Sequence, residues 1–356
     1  MRIHINTPAI SRVFRIMALL ALVVAALLPV MPRAASAQEA PPREREERRE
    51  PRPADAEEPQ VPDADRGDED RGDEDRGDED RGDEGIAPDE SAGARAPDGP
   101  YRSPYRLKFR FPESELLFDA RSERGSVAAQ SSMPEREWYS EQMKHRIGSW
   151  GPPARKFDCP AEVREKPPEW KRERVIAAAS RFLGYDYQHH HIPGWNPPEG
   201  WPWKKVCSGR NGKGVDCSNF SAFNYNWALG IHLSGGIRVQ AEQREVESSH
   251  GKVVAKVIDR PKGEPDQWYD ELVRTLKPGD LLYIRTSDMS KVSHVIMWLG
   301  ECAEGPDATP LIMDSHGAGV KDANGVAIPC GIHIRPFNKG SWYHKSFDHA
   351  HRLIAD

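Results

Sequence analysis

An α+β fold with an antiparallel sheet is predicted by the order of periodicities in this 356-residue sequence. Two features carry the prediction. Helical spacing of apolar residues comes first, and short apolar runs joined by tight turns come after it. Helices segregated from strands in this way indicate an antiparallel sheet with helices packed on it, rather than alternating parallel units.

The first helix is expected over Glu173–Leu183. Val175, Ile176, Ala179, Phe182 and Leu183 share one face, and Gly184 stops it. The second begins at Cys217, carries Phe220, Phe223 and Trp227 at helical spacing, and ends near Gly230. Lys252–Ile258 is strand-like, and Asp266–Leu276 is helical. About five strands complete the sheet: Leu281–Ile284 after the turn at Pro278-Gly279, Ser293–Gly300, Leu311–His316, Ile332–Arg335 and His349–Ile354.

The compact domain is expected over 166–356, and three different segments precede it. Residues 1–37 read as a signal peptide. Arg2, Arg12 and Arg15 precede the apolar run Ile16–Leu28, and Ala35-Ser36-Ala37 fits a small-residue cleavage site. The apolar run is short for a spanning helix, so no membrane association is expected after cleavage. Export after Ala37 places the mature chain outside the cytoplasm, secreted or periplasmic. Residues 38–100 form an acidic low-complexity spacer, with Arg-Gly-Asp-Glu-Asp repeating from Arg66. That charge density with few apolar residues cannot offset chain entropy, so disorder is expected. The Arg-Gly-Asp triplets follow from the repeat and read as hydrated spacer, not as an adhesion site. Residues 101–165 read as an arm or linker, with a strand-like Leu107–Phe111 and a helical Glu135–Ile147.

The net charge of −6 is concentrated in the leader. The domain itself is mildly basic and lacks the dense basic face of a nucleic-acid binder. No nucleic acid, cofactor or obligate partner is implied, and a monomer is expected.

Five cysteines in an exported chain leave one over. Cys302 and Cys330 bracket one hairpin-like region and are expected to pair. Cys159 with Cys207 then follows by elimination, and Cys217 remains the free thiol.

Cys217 follows a glycine-rich run and Val215-Asp216, at the first turn of a buried helix. Amide groups there have no helical partner, and the dipole favours negative charge. A thiol so placed ionises more readily, and the same amides can receive an oxyanion. An activated thiol also needs a base and a group to orient that base. His294 opens one strand and His316 ends the next. If those strands pair antiparallel, both imidazoles lie at one end of the sheet. Asp314 shares the strand face of His316 and is its substitute candidate. Tyr187, upstream, can donate a hydrogen bond near a thiolate. His189, His190 and His191 are adjacent in sequence and cannot all face one ion, so no metal is expected.

These residues resemble the NlpC-type cell-wall peptidases, papain-like cysteine peptidases of bacteria. Phe182-Leu-Gly184 with Tyr187, Val215-Asp-Cys-Ser218, Leu276-Lys-Pro-Gly-Asp-Leu281, Ser293-His-Val295 with Trp298-Leu-Gly300, Ile312–Gly317, and Gly331–Arg335 followed by Trp342-Tyr343 and Arg352 are similar to that family's segments, in order, over about residues 170–356. The resemblance implies a papain-like fold, Cys217 as nucleophile, His294 as base and His316 as the orienting residue. It also implies Tyr187 and the Cys217 amide at the oxyanion, and Asp216 and Ser218 at the substrate. The implied activity is cleavage of amide bonds in peptidoglycan stem peptides through a thioester. Two other readings remain open. One is an inactive module that binds wall fragments, and the other is an amidase or transpeptidase acting on a non-wall substrate. Asn219 stands where the family usually has Gly or another small residue, and Gln188–His191 where it usually runs Trp-Gly-Gly, both around the presumed cleft.

Overall fold

The computed structural model describes residues 101–201 and 212–356. The expected signal peptide, the acidic spacer and Cys207 lie outside the described residues.

A six-stranded sheet organises the domain. Its strands are β1 (Lys256–Asp259), β2 (Leu281–Arg285), β3 (Val292–Trp298), β4 (Leu311–His316), β5 (Gly331–Pro336) and β6 (Phe347–Arg352). They lie in the order β5-β4-β3-β2-β6-β1. Every pairing within the sheet is antiparallel. Alternation along each strand sends side chains to opposite faces. Leu281, Tyr283, Val295, Met297 and Met313 belong to one buried cluster, with α1 (Pro168–Ser180) and α2 (Cys217–Leu229). Leu282, Ile284, Ile296, Trp298 and Ile312 belong to a second, with α3 (Pro265–Thr275) and α4 (Trp342–Lys345). The sheet is therefore covered on both faces, which is why Leu281–Ile284, Val295–Trp298 and Leu311–Met313 are apolar on successive residues.

Several elements differ from the sequence expectation. Helix α1 starts five residues earlier than Glu173, because Pro168 supplies a first-turn φ at no hydrogen-bond cost. Glu135–Ile147 splits into a 3₁₀ turn at Glu135–Glu137 and a helix at Glu141–Ile147, whose Ser140 N-cap accepts from the Met143 amide. Lys252–Ile258 is two strands in different sheets: Gly251–Val254 joins a small three-stranded sheet, and β1 joins the large one. The buried Ala255 at the break hydrogen-bonds Arg244 O instead of either ladder.

The segment 101–165 packs on the domain. Tyr105, Leu116, Trp138, Met143, Phe157 and Val163 join the core shared with α1 and α2. Arg174 of α1 is fully buried and pins the segment, bonding Leu116 O and the Asp119 carboxylate. Asn226 of α2 pins it again, accepting from the Phe157 amide and donating to Arg155 O. With this segment on one side and the sheet on the other, every α2 residue except Ala222 is buried. Among the described residues, no helix is long and apolar enough to cross a membrane.

The expected cysteine pairing does not form. Cys302 and Cys159 are free thiols, and Cys330 is disulfide-bonded. The reason is strand direction. Cys302 follows β3 at the Leu311 end of β4, where the Leu299 amide bonds Leu311 O. Cys330 precedes Gly331, which pairs with His316 at the other end of β4. The six residues of β4 separate them. That is about 17–20 Å at the usual strand rise, far beyond disulfide reach.

Candidate active site

Helix α2 begins at Cys217, with Asp216 as N-cap. The Asp216 carboxylate accepts from the Asn219 amide at 2.8 Å and from Asn219 Nδ2 at 3.0 and 3.2 Å. The departure at Asn219 thus doubles the cap. Ser218 Oγ donates to Gly235 O and to Asp216 Oδ1. Both residues expected to meet substrate are nearly buried, and their hydrogen-bonding groups serve the helix start.

Two glycines set the approach to Cys217. Gly214 has φ +157°, and a Cβ there would lie 1.9 Å from Asp186 O. Gly331 has φ +113°, and a Cβ would lie 2.0 Å from Tyr185 O. The segment Tyr185-Asp186 runs between them, with Ile332 N donating to Tyr185 O and Asp186 N to Lys213 O. Only glycine permits this close passage. It fixes the chain just before Tyr187, whose ring meets His189 edge-on at 5.8 Å. His189 Nδ1 lies 3.6 Å from Asp216 Oδ2, and its ring contacts Trp150 at 5.1 Å. The triple histidine therefore splits: His189 faces the helix cap, His190 is buried, and His191 is half-buried and stacked on Trp150.

The end of the sheet meets the start of α2 through Ser315 Oγ, which donates to Val215 O. Here the even-numbered residues of β3 and β4 share one face, as the Trp298–Ile312 pairing requires. His294 and His316 are neighbours on it, with ring centroids 4.7 Å apart. The hydrogen bond to the base, however, goes diagonally. His294 Nε2 lies 2.9 Å from Asp314 Oδ2, and His316 Nδ1 turns to Gly317 O at 3.0 Å. Of the two neighbours, Asp314 and not His316 hydrogen-bonds the His294 ring. The Cys217 thiol is the other group acting on His294 and, with Asp314, favours its charged form.

Asp314 is fully buried and accepts from three side chains. His294 and Tyr343 share Oδ2, and Arg335 Nε takes Oδ1 at 2.7 Å. Burial alone would raise its pKa. The Arg335 guanidinium and the His294 hydrogen bond more than offset this and hold it well below the usual carboxylate range. An ionised carboxylate only accepts, so Nε2 of His294 carries the hydrogen and Nδ1 is the nitrogen left to exchange a proton with a substrate or thiol. Burial opposes charge on His294, but Cys217 and Asp314 outweigh it and push its pKa up to about 10. Burial and the neighbouring His294 charge lower His316 to about 3. Two adjacent imidazoles are thus driven apart in basicity by their surroundings.

Asp314, the substitute candidate in the sequence, gains two further donors, Arg335 and Tyr343, that the sequence reading had not placed beside it. A signal was present for Arg335: an arginine within an apolar strand needs a buried partner. Tyr343 and the neighbouring Trp342, whose ring lies 5.8 Å from His294, carried no such mark. Among the described residues, no group of three His, Cys, Asp or Glu side chains is arranged to hold a metal.

Comparison with known proteins gives one kind of match. No family model and no curated protein matches the chain. Similarity is to solved NlpC/P60 structures. One is an NlpC/P60 family protein from Bacillus cereus, 18% identical, covering 51% of this chain and 39% of its own, with a TM-score of 0.30. Another is the NlpC/P60 domain of the peptidoglycan hydrolase SagA, 16% identical, covering 50% and 96%, with a TM-score of 0.26. A third is the peptidoglycan hydrolase RipB from Mycobacterium tuberculosis, 17% identical, covering 56% and 74%, with a TM-score of 0.28. The matched region spans about two fifths of the length of the first.

Proposed function

We propose that this chain is an exported cysteine hydrolase that cleaves amide bonds in peptidoglycan stem peptides. The observation that carries the chemistry is the line Cys217–His294–Asp314 at the N-terminus of a buried helix. Cys217 attacks the carbonyl as a thiolate, with its proton held by His294. The tetrahedral oxyanion forms beside the Cys217 amide, which has no helical partner at this position, and Tyr187 supplies a second donor. His294 then protonates the leaving amine, and a thioester remains. Water enters, His294 removes its proton, and the acid product leaves with Cys217 restored. Asp314 keeps the imidazole in the tautomer that both steps use.

The choice of substrate rests on the order of the motifs around Cys217, His294 and Arg335, and export rests on the N-terminal segment. Incubation of purified peptidoglycan with the mature protein, followed by mass measurement of the released fragments, tests the reading. Muropeptides cut within the stem are expected, and Cys217→Ala should release none. Absence of soluble fragments across several wall chemotypes, with Cys217 still rapidly alkylated, would move the enzyme to a non-wall amide. Slow, solvent-like alkylation would instead leave an inactive binding module.

A further inference from the structure

Two imidazoles stand in this site, and only one can serve as base. We infer that Arg335 is the positioning residue that makes the choice, by holding Asp314 ionised beneath His294 and placing its own charge against His316. This deepens the proposed cysteine chemistry and rests on it.

The guanidinium is fully buried and immobilised. Nε donates to Asp314 Oδ1, while Nη2 donates to Gly331 O at 2.9 Å, Pro329 O at 3.2 Å and His316 O at 3.5 Å. Three carbonyls around the β4–β5 turn therefore fix the cation in one place. Arg335 pairs with Ile312 across the ladder and His333 with Asp314, so Arg335 and Asp314 are diagonal neighbours on one face. Asp314 in turn reaches His294 on the other flanking strand. The carboxylate thus lies between a permanent cation and the base.

The charged and titratable groups facing this cluster are Cys217 from α2, His294 from β3, Asp314 and His316 from β4, His333 and Arg335 from β5, and Tyr343 from α4. Within this set, Arg335 alone cannot lose its charge at working pH. Its positive charge lowers the pKa of Asp314 and also disfavours protons on His316 and His333. His294 is different, because the thiol and the carboxylate beside it both favour its charged form. One fixed charge therefore favours the proton on His294 and disfavours it on the imidazole next door. The neutral His316 serves as a wall and keeps no proton that would repel the imidazolium.

Two measurements on the full mature protein test this without a substrate. The first is the pH dependence of Cys217 alkylation by iodoacetamide, and the second is the protonation of His294 and His316 read from imidazole ¹⁵N shifts. Arg335→Met should move the acid limb of alkylation upward by about one pH unit or more, the size expected when a carboxylate loses an adjacent counter-charge. It should also let His316 take up a proton at higher pH than in the wild type. Arg335→Lys keeps the charge and should return most of both effects. Overlapping wild-type and Met profiles, or a Lys variant as altered as the Met variant, would overturn the inference. Should Arg335→Met fail to fold, the wild-type spectrum still decides: a His316 that titrates near the ordinary histidine value refutes it. Failure of the wall substrate reading shows separately, as absent muropeptides with these profiles intact.

Discussion

Replacing Asp314 by Asn tests which neighbour orients the base. The wild-type carboxylate presents two oxygens to three donors: His294 Nε2, Tyr343 OH and Arg335 Nε, all within 2.9 Å. An amide presents one oxygen and one NH₂ group. If the NH₂ group takes the Oδ2 position, it donates toward His294 Nε2 and the ring must switch tautomer, so Nδ1 no longer accepts the thiol proton. If it takes the Oδ1 position, it opposes Arg335 and leaves a buried cation unpaired. Either way the base is lost or the fold is strained. Loss of the correct tautomer in such a triad costs about 10⁴-fold in turnover. Breaking a buried ion pair from one side costs about 3–5 kcal/mol of stability. The assay is the second-order rate of Cys217 alkylation at pH 7, with muropeptide release beside it and circular dichroism to confirm folding. Asp314→Asn should lose about 10³-fold or more in release. His316→Gln removes no hydrogen bond to His294 and should stay within about tenfold, or 1.4 kcal/mol. A His316→Gln variant that loses more than Asp314→Asn, both folded, would refute the assignment of Asp314.

Other outcomes follow from the same geometry. Tyr343→Phe removes one donor from Asp314 Oδ2; at about 1.5–3 kcal/mol for a hydrogen bond to a charged group, kcat should fall with KM unchanged, and an unaltered kcat would contradict the shared-oxygen geometry. Gly331→Ala places a Cβ 2.0 Å from Tyr185 O at φ +113°, so urea unfolding should show a loss of at least the about 1–3 kcal/mol of a forced backbone conformation. Stability should fall in mild acid. His190, His316 and His351 are held near 3 by burial and so stay neutral when folded, while the unfolded chain takes up protons below about 6.5. The unfolded state then binds more protons, and each histidine removes up to about 1.4 kcal/mol per pH unit as pH falls through that window. Urea midpoints at pH 7.5, 6 and 5 that do not decline would contradict this. Non-reducing peptide mapping should find no Cys302–Cys330 link, and its detection would contradict the strand directions given above.

The parts of the fold legible in the sequence were those set by local periodicity. The run from Phe220 to Trp227 marks a helix whatever surrounds it, and the apolar runs at Leu281, Val295 and Leu311 mark strands. Boundaries set by tertiary contacts were not legible. Lys252–Ile258 looks like one strand because its composition is uniform. It divides at Ala255 because the chain leaves one sheet for another, a fact held in Arg244 some ten residues earlier. The cysteine pairing was misread for a related reason. Proximity in sequence around β4 and β5 suggests closeness, but antiparallel direction sends the starts of consecutive strands to opposite ends.

The site shows the same division at finer grain. The place of Cys217 at a helix start was legible, and so was that of His294 near the head of a strand. His316 was rightly placed beside His294, since strand alternation brings the two rings together. Its role was not legible, because alternation places Asp314 on the same face and pattern alone cannot rank two neighbours. Charge ranks them. A buried carboxylate next to a buried guanidinium keeps its negative charge, whereas a buried imidazole beside those groups stays neutral. The ranking therefore comes from Arg335, a residue on a third strand. Its relevance follows once β4 is known to lie between β3 and β5, because only that order lets one carboxylate touch both the cation and the base.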